Sequence, residues 1–108
     1  MTNFEAISAS LYPYDVDPFL KEKACIDKGI DARADYTAID KISVAKAAIA
    51  ILRNLIVLLS ESNGGYSLSY DTDGLKEQIF KLAKDNGLTD IADEFDTRSK
   101  IIDISDQW

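Results

Sequence analysis

The sequence predicts an all-α fold: four to five helices bundled around a central apolar helix, with a short extended segment near residues 66–70 and an extended C-terminal arm. Three observations predict it. Residues 42–59 carry two interleaved apolar stripes at helical spacing, and proline, glycine and asparagine residues punctuate the chain at helix-length intervals. Near the C-terminal end, Ile102 and Ile104 alternate with Asp103 and Ser105, as they would along an extended chain. At 108 residues the chain has room for one domain whose core needs neither disulfides nor a structural metal. Residues 1–97 are assigned to this helical domain and residues 98–108 to the arm.

In chain order, Asn3 is expected to cap a short first helix with Phe4, Ile7 and Leu11 on one face. Pro13 ends it, because the residue before a proline is pushed out of helical geometry. Asp17 and Pro18 open a second helix: the carboxylate accepts from orphan amides, and proline at the first helical position sacrifices no hydrogen bond. That helix carries Phe19, Leu20, Ala24 and Cys25 to a stop near Gly29, and the weakly patterned GIDARADY connects it to the next.

The third helix spans about residues 37–60. One stripe is Ile42, Ala45, Ile49, Leu52, Ile56 and Leu59; the other is Val44, Ala47, Ile51, Leu55 and Leu58. Two stripes require cover on most sides, and the alanines allow neighbouring backbones to approach closely. Lys46 and Arg53 mark the remaining polar face. A fourth helix begins near Asp73, its expected cap, turns Leu75, Ile79, Phe80, Leu82 and Ala83 inward, and ends at Asn86 and Gly87 with a left-handed glycine. Thr89 caps a short fifth helix bearing Ile91, Ala92 and Phe95.

Between helices three and four lies SNGGYSLSYDTDGLKEQ, residues 62–78. Tyr66, Leu68 and Tyr70 share one face of a short extended segment that must pair with its own chain or a neighbouring subunit. Its double glycine lacks the Gly-Lys-Ser/Thr of a phosphate loop. DTDG suggests a calcium loop, but with Gly74 at the sixth position Ser69 and Phe80 fall at positions one and twelve, where an aspartate and a bidentate glutamate are needed.

Composition narrows the chemistry further. With 19 acidic and 12 basic residues the net charge is −7, the wrong sign for a protein whose main task is gripping phosphates. Lys21, Lys23, Lys28 and Arg33 are diluted by Glu22, Asp27 and Asp31. There are 0 histidines, which excludes histidine-based triads, proton shuttles and metal sites. The lone Cys25 reads as a small buried apolar residue. Asp15 with Asp17, or Asp90 with Asp93 and Glu94, read as caps and solvated faces rather than acid/base pairs. The N-terminus lacks the pattern of a signal peptide, and Ser43, Lys46, Arg53 and Asn54 interrupt the apolar run too often for a membrane span. No catalytic residue, metal, cofactor, membrane or small-molecule substrate is expected.

The arrangement of an Asp-Pro helix, an alanine-rich central helix ending in SESNGGYSLSYD, the helix GLKEQIFKLAKDNGL and an extended arm resembles the small head-tail connector (adaptor, or head-completion) proteins of tailed bacteriophages, most closely over residues 39–88. The N-terminal third, residues 12–36, departs from that pattern. The resemblance implies a non-enzymatic subunit of a homo-oligomeric ring in the virion, assembled in the host cytoplasm. It would sit below the portal protein, meet a stopper or tail-completion protein, and line the channel through which DNA passes without sequence-specific binding.

In this reading Tyr66, Leu68, Tyr70, Ile101, Ile102, Ile104 and Trp108 bind partners. Burying apolar side chains of this size is worth about 1.5–3 kcal/mol apiece, so the arm either packs back on its own bundle or docks on another subunit or the portal. The rival reading is a small acidic helical binding or regulatory domain acting as a monomer or dimer. Calorimetry with calcium is expected to detect no micromolar affinity; tight binding would overturn the reading of DTDG as a helix start.

Overall fold

The computed structural model describes residues 1–61 and 72–96. Among these the chain is all-α, with α1 (Asn3–Leu11), α2 (Pro18–Asp27), α3 (Lys41–Glu61), α4 (Thr72–Asp85) and α5 (Thr89–Glu94). The predicted extended segment at 66–70 and the arm at 98–108 lie outside the described residues.

Helix α3, with 21 residues, is about 30 Å long and packs against α1, α2 and α4, while α4 carries α5. Val44, Ala45, Ala47, Ala48, Ile49, Ile51, Leu52 and Leu55 are buried, so both apolar stripes enter the core through the middle of the helix. They fade towards its ends: Ile42 is 48% exposed and Leu58 47%. Around this axis α1 contributes Ile7 and Leu11, α2 Ala24 and Cys25, and α4 Leu75, Ile79 and Ala83.

The start of α1 differs from the sequence expectation. Thr2 is the cap: its Oγ1 accepts from the Glu5 amide at 3.2 Å, and the Glu5 carboxylate accepts from the Thr2 amide at 2.8 Å. This reciprocal pair satisfies two otherwise orphaned donors. Asn3, one residue further, is buried at 1% exposure and donates its Nδ2 to the Asp31 carbonyl at 2.9 Å.

The connector after Gly29, weak in sequence pattern, is held by the same helix start. The amides of Asn3 and Phe4 donate to the carbonyls of Ala34 and Ala32 at 2.9 and 3.0 Å, and the Tyr36 amide donates to Met1 O at 2.8 Å. An isolated antiparallel bridge joins Thr2 and Asp35. With the Ala6 amide bonded to Thr2 O, every first-turn donor of α1 has a partner, as buried backbone requires.

Asp17 caps α2 as expected, accepting from the Phe19 amide at 2.9 Å with Pro18 at the first position. Both α2 and α4 stop by the same device. Gly29 and Gly87 take φ of +68° and +71°, and the next amides, Ile30 and Leu88, reach back to Cys25 O and Ala83 O at 2.8 Å. That is the Schellman closure, and it folds Ile30 and Leu88 against the core. Two other expected caps are corrected. Asp73 is the second residue of α4, a carboxylate in the first turn beside the positive helix end. Thr89 is already helical; Leu88 precedes α5 without a side-chain cap.

Gln78 ties α4 to the end of α1, donating Nε2 to Ser10 O at 2.8 Å. Ile49→Ala and Leu52→Ala, at core positions 2% and 0% exposed, are each expected to lose about 2–5 kcal/mol in denaturant melts; losses below about 0.5 kcal/mol, the surface range, would refute the central placement of α3. Thr2→Ala should lose about 0.5–2 kcal/mol. The capping box holds the Glu5 carboxyl below its ordinary pKa through its backbone and side-chain hydrogen bonds to Thr2. Its contribution is therefore present above the unfolded glutamate pKa and lost as pH falls through the folded value. Glu5→Gln should flatten that acid limb of the stability profile.

Candidate functional site

Helix α2 shows two faces. Leu20 packs against the core and Ala24 and Cys25 are buried in it, which turns Phe19, one residue and about 100° away, out to solvent. Phe19 is 77% exposed and Ile26 76%; seven residues apart, they stand on the same side of the helix. Leu20, Ala24 and Cys25 take the inward positions of the helix.

Between α2 and α3 runs an open groove of about 570 Å³. Leu20, Ala24, Ala50, Ile51 and Val57 supply its apolar surface. Its origin is steric: Ala24 and Ala50 are too short to fill the space between two helices. Lys23, Asp27, Lys28, Arg53 and Asn54 border it, three cations to one carboxylate on a chain of net charge −7. The apolar strip continues along α3, where Val57 is 51% exposed and Leu58 47%.

Arg53 connects this groove to α5. Its Nη2 meets the Glu94 carboxylate at 2.8 Å, and its guanidinium lies 5.2 Å from the centroid of the Phe95 ring. Lys23 is held by Asp27 at 2.7 Å within α2. Both ion pairs are half exposed and contribute modestly, on the order of 0–1 kcal/mol; their main effect is to orient the cations along the groove edge. Lys21, on another side of α2, donates to Ser8 Oγ at 3.1 Å and lies over the Phe4 ring.

Cys25 is 1% exposed. Burial first, then the Glu22 and Asp31 carboxylates, push its thiol pKa up, so it stays protonated near neutral pH and is a poor nucleophile. Of the carboxylates considered for acid/base work, Asp17 caps α2 and Glu94 pairs with Arg53. Among the described residues no group of three or more acidic, histidine or cysteine side chains is placed to hold a metal ion, and no helix is long and apolar enough to cross a membrane.

The partner-binding residues expected from sequence, Tyr66, Leu68, Tyr70, Ile101, Ile102, Ile104 and Trp108, all lie outside the described residues. The groove was not anticipated. The sequence carries no signal of it beyond small residues on two helices, Ala24 and Ala50, whose juxtaposition only the fold sets.

The profile of a family of unknown function (DUF6706) matches residues 1–108. No curated protein and no solved structure matches the chain.

In native protein Cys25 is expected to react with a maleimide far more slowly than a free thiol, at a rate that rises with denaturant alongside unfolding. Rapid labelling under native conditions would contradict its burial.

Proposed function

We propose that this chain, which belongs to the family of unknown function DUF6706 over residues 1–108, is a structural subunit of a phage head-tail connector ring, bound below the portal and lining the DNA exit channel. The observation that carries the reading is the pair of exposed apolar side chains Phe19 and Ile26 on one side of α2, together with an unfilled groove that Val57 lines and the exposed Leu58 on α3. Contiguous exposed apolar surface marks contact sites on soluble proteins, and a ring subunit needs such surface to meet its neighbours. The resemblance over residues 39–88 supplies the identity of the assembly.

Net charge −7 is compatible with a channel lining that repels DNA rather than retaining it. In this role the chain is not an enzyme and needs no cofactor. Its partners are further copies of itself, the portal protein and a stopper or tail-completion protein, all at the head-tail interface of the virion after assembly in the host cytoplasm. Tyr66, Leu68, Tyr70, Ile101, Ile102, Ile104 and Trp108 are the proposed partner-binding residues.

One feature favours a second reading. A groove between two helices, with an apolar floor and charged edges, also suits an amphipathic helix of another protein, as a small acidic regulatory domain acting as a monomer or dimer would use it. Assembly state separates the two. Light scattering and electron microscopy are expected to show rings of this chain, alone or on co-sedimentation with a portal. Phe19→Ser and Ile26→Ser should reduce that assembly while changing stability by no more than about 0.5 kcal/mol, the range for surface positions. A chain that remains a monomer or dimer with the portal present would sink the connector reading.

A further inference from the structure

We propose that the α2–α3 groove is the seat of residues 101–108 of a second copy of this chain. The proposal rests on the ring reading in one respect, the choice of a second copy as the donor. Ring closure uses a heterologous contact, in which two different surfaces of the same subunit meet across each boundary. The groove and the segment IIDISDQW are such an unlike pair.

Their chemistry matches. The groove offers an apolar floor, with Val57 open at one end, and an edge where Lys28 stands beside the Lys23–Asp27 and Arg53–Glu94 ion pairs, a net excess of one positive charge. The segment carries Ile101, Ile102, Ile104 and Trp108 for the floor, and Asp103 and Asp106, with no lysine or arginine, for the edge. Charge complementarity of this kind selects partner and register more than it adds affinity.

The lengths match as well. The groove follows α2 from Leu20 to Lys28 and α3 from Ala50 to Val57, about 10–12 Å of helix. Eight residues in extended form span about 26 Å, enough to run its length and pass beyond it along the exposed side of Val57 and Leu58. Asp96 follows Phe95 and Glu94, which both meet Arg53 at the groove edge. From Asp96 the remaining chain is long enough to reach a groove edge of its own copy or of a neighbour, and the neighbour is chosen on the ring reading. Residues 97–100 add about 13 Å of reach.

Complementation between two defective chains tests this. One chain is truncated after Lys100, keeping the groove and losing the segment; the other is full length with Val57→Glu, keeping the segment and placing a carboxylate in the groove beside a surface that must accept aspartates. Each is expected to melt like the parent and to remain monomeric by light scattering. Mixed, they should form a one-to-one complex, because the segment of one still fits the groove of the other. The complex should disappear when the truncated partner also carries Val57→Glu. Should the truncated chain melt poorly, a full-length chain with Ile104→Asp and Trp108→Asp replaces it.

A mixture that stays monomeric overturns the contact, and an accompanying fall in the melting point of the truncated chain would place the segment in its own groove. If the truncated chain assembles as the parent does, the groove contact is wrong while the ring reading stands. If the mixture pairs but the parent forms no ring with or without a portal, the contact stands and the ring reading fails.

Discussion

The architecture depends on one constraint, the burial of α3. A helix with eight buried apolar positions from Val44 to Leu55 cannot stand in water on one covered side. It needs neighbours around most of its circumference, and α1, α2 and α4 provide them. Several of its inward residues are alanines, so the surrounding helices approach closely and their larger side chains, Ile7, Leu11, Leu75 and Ile79, fill the space between. The many small burials act together, which is why the loss of a single large side chain at the axis is felt throughout.

At the start of α1 and the stops of α2 and α4 the backbone amides find partners, while the Oδ1 atoms of Asn3 and Asn86 are buried without one. At α1 the cap and the returning connector share the work: Thr2 and Glu5 satisfy one another, and residues 32–34 present carbonyls to the amides of Asn3 and Phe4. The connector thereby gains a fixed course despite having little apolar content of its own. At α2 and α4 a glycine with positive φ reverses the chain and brings the following Ile30 or Leu88 onto the core. Side-chain amides complete the joints, with Asn3 bonded to Asp31 O and Gln78 to Ser10 O. Local geometry and tertiary packing are thus coupled at each stop.

The same economy of size that draws helices together at the axis leaves a gap at the surface. Ala24 on α2 and Ala50 on α3 both line the groove, where their short side chains leave space. The larger side chains Phe19 and Ile26 on α2 stand in solvent instead. Arg53 links this surface to α5 by its contacts with Glu94 and Phe95.

By itself the sequence determined the all-α class and the order of the helices among the described residues, the central place of the third, the Asp17–Pro18 start of the second and the glycine stops at Gly29 and Gly87. These follow from periodicity and from local backbone chemistry, which act within a few residues. Tertiary structure decided the rest. Asn3 looks like a cap by type, yet Thr2 takes that role because Asn3 is drawn inward to Asp31 O, twenty-eight residues away. Phe19 looks like core by hydrophobicity, yet three smaller or better placed neighbours fill the inward face of α2. GIDARADY has no periodicity to read, because what holds it is the unsatisfied start of a distant helix. The α2–α3 groove was illegible for the same reason: an absence of side-chain volume becomes a site only when two helices are set side by side.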